Sequence, residues 1–238
     1  MIRKIKDIIR KIVYSIIKPP VVSRASYSQA GEDAILSFLF ADYGKFQIEY
    51  LDLGTNAPVS SNNTYKFYTR GSRGVCVEAD ASLIEEIKRV RPQDVVINAG
   101  VAPEGGEADF YLFDIPAMST FDKKEAEYRV SQGVRKIIRT IKVPLVTINE
   151  LIENNFSTFP DLLSLDIESL DLDVLKTLDF IAYPIPVIVV ETCTYSENHI
   201  RPKDRSIIDF MLTKDYEVYA DTYVNTIFVN KKWFYNTK

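Results

Sequence analysis

The sequence predicts an α/β fold: a mostly parallel sheet with an antiparallel last strand and helices on both faces. Three observations carry that expectation. Short, nearly continuous apolar runs alternate with helix-period runs, as strands buried on both faces of a parallel sheet require. Several of these runs end on an acid or an amide. The last two, "YEVYA" and "NTIFVN", stand close enough to pair as a hairpin. Composition agrees, since 46% hydrophobic and 12% aromatic residues exclude disorder and 238 residues hold one or two domains.

The elements follow in order. Residues 1–18, "MIRKIKDIIRKIVYSIIK", place Ile and Val at three- and four-residue steps, with six basic residues against the single acid Asp7. That is a basic amphipathic helix, suited to an anionic membrane surface or to packing on a domain or a second subunit. Its charges interrupt every apolar run, so it reads neither as a signal peptide nor as a membrane span. Pro19-Pro20 ends it, which divides the chain into a helix over 1–20 and one α/β domain over 21–238. Ser26 and Gln29 have capping-box spacing before a helix in "GEDAILSFLFADYG". "IEYLDLG" reads as a strand, "NNTYKFYTRG" as a short helix and "RGVCVEAD" as a second strand. "SLIEEIKRVR" is a helix capped by Ser82, and "DVVINAG" is a third strand. "EADFYLF" and "TIKVPLVTI" are extended, and Ser119-Thr120 between them caps a helix or touches a ligand. "INELIENN" is helical, "DLLSLDIE" a strand, "LDVLKTLDF" a helix and "IPVIVVET" a strand. "PKDRSIIDFMLTKD" is a helix with Pro202 near its start.

Charge and cysteine usage exclude some functions. A net charge of -4 makes a poor general nucleic-acid binder, because that affinity comes from Lys and Arg on phosphates. Cys76 and Cys193 are not in a CxxC pair, so neither a disulfide scaffold nor a cysteine-based zinc site is expected. Both read as ordinary thiols of a reducing, cytoplasmic compartment.

Open α/β sheets bind ligands at the carboxyl ends of their strands. Here the strand ends carry Asp52, Glu78, Asn98, Asp166 and Glu191. Glu78 follows Asp52 by 26 residues, near the spacing at which an acid meets ribose hydroxyls. The first turn has one glycine, Gly54, followed by Thr55, Asn56, Ala57 and Pro58. A pyrophosphate needs close backbone approach and several glycines, and Pro58 has no N–H to offer one. The turn therefore favours S-adenosyl-L-methionine over NAD. Asp52, Asn56 and neighbouring N–H groups such as that of Thr55 would meet its amino-acid tail. Methyl transfer to a hydroxyl needs a proton acceptor. The one histidine, His199, is a candidate beside Asp166, Glu168 and Glu191, although a loop histidine and a helix-start acid are the plainer readings of His199 and Glu168. The residues assign no metal, and Asp166 with Glu191 holding Mg²⁺ together with acceptor oxygens is the alternative to a base.

Several separated pieces resemble the FkbM family of S-adenosylmethionine-dependent methyltransferases. These are "SYSQAGEDAIL", "YLDLGTNAPVSSNNTYKFYTRGSRGVCVEAD", "VINAGVAPEGGEADFYLF", "LLSLDIESLDLDVLKTLDF" and "VIVVET", in the family's order over about residues 26–230. Ser169 and Ser72 depart from the family's usual Gly and Trp. The resemblance implies the class I methyltransferase fold, a Rossmann-like seven-stranded sheet. It implies that Gly54 and Asn56 line the methionine part, Glu78 holds the ribose, Asn98 lies near the adenine and Asp166 near the methyl group. Gln29, Glu32 and Asp33 would fold over the site. It implies an oxygen on a sugar, glycan or other small metabolite as acceptor. Rival readings are a catalytically idle module docked to a membrane or complex, and an NAD-dependent oxidoreductase. A homo-oligomer is compatible with the chain.

Overall fold

A computed structural model describes residues 25–115, 118–133, 135–167, 170–193 and 203–236. The expected helix over residues 1–18 lies outside them. The main sheet has seven strands: β1 (Glu49–Leu53), β2 (Arg73–Glu78), β3 (Val95–Asn98), β7 (Leu162–Leu165), β8 (Val187–Glu191), β9 (Tyr216–Asp221) and β10 (Asn225–Asn230). Their order is β3-β2-β1-β7-β8-β10-β9. Five strands run parallel, and β10 pairs antiparallel with both β8 and β9. The hairpin of the last two strands is thus formed as expected. The strand order reverses between β1 and β7, and a crevice opens there at the carboxyl ends.

The sheet is covered on both faces because its strands alternate with period two. Leu51 and Leu53 of β1 join Val75, Leu163, Ile188 and Phe228 on one face. Helices α5 (Ile148–Asn155), α6 (Asp171–Thr177) and α7 (Arg205–Leu212) bury Ile148, Leu151, Val174, Leu175, Ile207 and Met211 against them. Tyr50 belongs to the opposite face with Leu162, Val189 and Ile227, under Leu36, Leu39 and Phe40 of α1 (Glu32–Asp42) and Phe67 of α2 (Tyr65–Tyr68). Helix α3 (Ala81–Val90) follows β2. Ser72, where the family's Trp is common, is buried and its hydroxyl accepts from the Ile48 amide at 3.0 Å.

Residues 100–146 depart from a simple alternation. The extended pieces form a second, three-stranded sheet of β4 (Gly100–Val101), β5 (Gly106–Phe113) and β6 (Ile137–Val146), in the order β4-β6-β5. Helix α4 (Lys123–Ser131) lies between β5 and β6 in the chain. A final helix, α8 (Lys231–Asn236), follows β10.

Three expected caps are corrected. Asp80 caps α3 by accepting from the Ser82 amide at 2.9 Å, so Ser82 is the donor. Asp122, not Ser119-Thr120, caps α4. Ser26 and Gln29 form no capping box, because the cap of α1 is Gly31 and the Ser26 hydroxyl donates to Asp33 at 2.7 Å.

Candidate active site

The crevice at the strand ends is a cavity of about 700 Å³, within the size range of small-molecule sites. Its floor is the turn after β1. Gly54 has φ 78°, and the amides of Gly54 and Thr55 both donate to the Val77 carbonyl, at 3.0 and 3.1 Å. A side chain at Gly54 would put its Cβ 1.8 Å from the Asp166 carbonyl oxygen. The single glycine is therefore where β1 and the turn after β7 come closest. Asn56 also has positive φ, 48°, a conformation Asn tolerates better than most residues. That twist aims the Asn56 amide at Glu78, whose Oε2 accepts it at 2.8 Å.

Glu78 lines the cavity and is almost fully buried. Burial raises its pKa, and the amides of Asp80 and Asn56 partly offset this by favouring the charged form. Each carboxylate oxygen holds one backbone donor, Asp80 on Oε1 and Asn56 on Oε2. Each oxygen keeps a further lone pair for a ligand hydroxyl. Glu78→Ala removes that pair of acceptors, and nucleoside affinity is expected to fall by about 1–3 kcal/mol. Calorimetry on the folded variant checks this, and an unchanged affinity would put the ribose contact elsewhere.

Two expected contacts go to other partners. Asp52 is buried behind the turn: its Oδ2 accepts from Thr64 at 2.7 Å and Asn62 at 3.1 Å and faces Arg91 at 3.4 Å. Strand alternation puts it on the Tyr50 face of β1, away from the cavity lining. It acts on the turn from behind, since Thr55 donates to its carbonyl at 3.2 Å. Asn98 is exposed and turns back, donating to the carbonyls of Glu78 at 2.8 Å and Ala79 at 3.1 Å. The cavity wall there is Ala99, Gly100 and Val101, facing Phe110 and Phe121, whose rings lie 4.5 Å apart. This end of the cavity is apolar, the character of surface a purine ring packs on. The sequence does not show that Phe110 and Phe121 reach the cavity, because the pairing of β5 with β6 and the Tyr111–Thr120 bridge that bring them there are long-range.

The opposite side is acidic. Asp166, Glu191, Asp171 and Asp204 line it, with Cys193. Gln29 also lines the cavity. Glu32 is buried and accepts from Thr222 at 2.6 Å and Asn225 at 3.0 Å, tying the segment to the last hairpin. Asp33 accepts from the Tyr27 amide at 2.8 Å and lies 3.6 Å from Lys66. Glu168 and His199 lie outside the described residues. Among the described residues, no group of three or more His, Cys, Asp or Glu is placed to hold a metal ion. No helix among them is long and apolar enough to cross a membrane.

The chemistry of this lining fits one cofactor class. An apolar wall, the buried carboxylate of Glu78 and the tight turn beside Asp166 are groups that a purine, a ribose and an amino-acid tail would each match. Together with the strand order, these mark a methyltransferase of the class I fold that uses S-adenosyl-L-methionine. The family can be stated more closely, since the FkbM methyltransferase domain model matches residues 52–218, and the chain belongs to that family. Among solved structures, a TehB-like SAM-dependent methyltransferase from Corynebacterium glutamicum is similar at 9% identity and a TM-score of 0.44, covering 93% of this chain and 97% of that one. That is a likeness of outline only. No curated protein sequence matches.

Proposed function

We propose that the protein transfers the methyl group of S-adenosyl-L-methionine to a hydroxyl oxygen of a sugar, a glycan or a similar small polyhydroxyl acceptor. When bound, the cofactor supplies a methyl group on a positively charged sulfur. The observation that carries the acceptor class is the row of carboxylates Asp166, Asp171, Glu191 and Asp204 on the wall opposite the apolar end. Carboxylates accept hydrogen bonds, and a polyhydroxyl compound offers many donors. Glu78 and the Gly54 turn hold the cofactor, and Phe110 and Phe121 shield its base from water.

The test uses methyl-labelled S-adenosyl-L-methionine and a panel of nucleotide sugars, methyl glycosides and polyols. Label is expected in an O–CH₃ group read by NMR. Label found only on nitrogen or carbon would reject the acceptor class. Within the same reading, residues 1–18 hold the enzyme at an anionic membrane, where a lipid-bound glycan would meet it on the cytoplasmic face. Their six basic residues and clustered Ile favour that contact. The full chain is expected to sediment with anionic vesicles at low salt and to be released by high salt. If deleting residues 1–20 turns an oligomer into a monomer and leaves sedimentation unchanged, the segment is a subunit contact instead.

A further inference from the structure

Asp171 is the first residue of α6, and nothing in its sequence context marks it out. A carboxylate in the first helical turn usually answers the helix dipole in solvent. Here it is buried, 8% exposed, and still lines the cavity. Its neighbours on this wall, Asp166, Glu191 and Asp204, are only half-buried. A short chain of contacts links it to the cofactor turn. Gly54 packs on the Asp166 carbonyl, the Ile167 side chain lies next to Gly54, and the Ile167 amide donates to Asp171 Oδ1 at 3.1 Å. Asp171 therefore sits beside the segment where the methionine end of the cofactor is expected, on the acceptor's side.

We propose that Asp171 is a catalytic residue that takes the proton of the acceptor hydroxyl, a role that rests on the hydroxyl acceptor proposed above. As the methyl group is transferred, the acceptor O–H bond breaks and a new O–CH₃ bond forms. The proton passes to an Asp171 carboxylate oxygen, and the electron pair of the broken S–CH₃ bond stays on sulfur. Atoms and charge balance without a metal or any further reactant.

The surroundings suit a base working near neutral pH. Burial pushes the Asp171 carboxyl up to about 7, and the charges of Asp166 and Asp204 add to this. The amides of Ile167 and of Asp171 itself pull the other way. Among the described residues, no lysine or arginine pairs with Asp171. Among the described residues, the other ionisable groups lining the same cavity are Glu191 and Cys193 at the end of β8, Glu78, and Arg129, which pairs with Glu125. On the packed helices, Glu150 of α5 is bonded to Thr147, and Arg205 of α7 pairs with Asp209.

The test compares calorimetric binding of S-adenosyl-L-methionine and of S-adenosylhomocysteine at about pH 5.5 and 8.5, on the full chain and on Asp171→Asn. The two ligands differ at the sulfur, where only the first is positive. An Asp171 that ionises near the sulfur favours the charged ligand only once it has lost its proton. The affinity ratio is therefore expected to rise about tenfold or more with pH in the wild type, as a coupling of one pKa unit requires. In Asp171→Asn the ratio is expected to stay flat, while the melting temperature is kept. Turnover of the variant on any hydroxyl compound the wild type methylates is expected to fall about 10²-fold or more. A wild-type ratio independent of pH, an unchanged pH dependence in the variant, or wild-type turnover in the variant would each overturn the role of Asp171. The wild-type ratio needs no variant, so a folding defect in Asp171→Asn leaves the test intact. Failure to bind either ligand would instead overturn the cofactor assignment.

Discussion

Arg91→Met is expected to cost about 3–5 kcal/mol of stability, because it leaves buried carboxylates without their cation. Arg91 follows α3 and is fully buried. Its Nε donates to Asp94 at 2.8 Å and its Nη2 to Thr64 at 2.8 Å, and Nη1 faces Asp52 at 3.4 Å. The guanidinium also lies over the rings of Tyr50 and Tyr68, at 5.2 and 5.6 Å. Asp94 accepts in turn from the Tyr50 hydroxyl and the Gly74 amide. One cation thus ties together β1, β2, the loop before α2 and the loop before β3. At this chain length, the loss corresponds to a drop in melting temperature of roughly 6–20 °C. Arg91→Lys should recover only part of it, since an ammonium cannot donate in a planar fork. Thermal melts at neutral pH check both variants, and an Arg91→Met protein melting within a degree or two of wild type would contradict the account.

Gly54→Ala is expected to strike the cofactor site itself. Two costs add: a side chain forced into φ 78°, and a Cβ driven to 1.8 Å from a backbone oxygen that cannot rotate away. Together they amount to about 2–4 kcal/mol. If the turn yields by opening, that strain appears as lost affinity, roughly 30- to 700-fold. If it yields elsewhere, the melting temperature falls instead. Calorimetry and a melt on the same sample separate the two, and a variant matching wild type in both would show that β1 and the Asp166 turn do not meet as described.

What the sequence made legible follows from the range of the forces involved. The main strands and most helices were readable because their patterns are local: apolar runs such as "VIVVE" and the alternation about Leu51 and Leu53. That Gly54 and Glu78 line the cavity was readable because turn chemistry and spacing lie within one βαβ unit. That Asp52 lies off the cavity lining was not readable, because its partners Asn62, Thr64 and Arg91 reach it from other elements on the Tyr50 face. The pairing of β5 with β6 escaped notice because no tight turn joins them and α4 intervenes. Its consequence, the slot of Phe110 and Phe121, went with it. Asp171 was invisible for a related reason: its burial comes from α6 settling against the sheet, while its sequence shows only an acid at a helix start.

This cavity is expected to hold S-adenosyl-L-methionine through the Gly54 turn and Glu78. The most direct test is calorimetric titration of the purified full-length protein with S-adenosyl-L-methionine and, separately, with NAD. The account predicts one site for S-adenosyl-L-methionine with a dissociation constant on the order of micromolar, weakened in Glu78→Ala, and no heat from NAD. Saturable binding of NAD, with none of S-adenosyl-L-methionine, would contradict it.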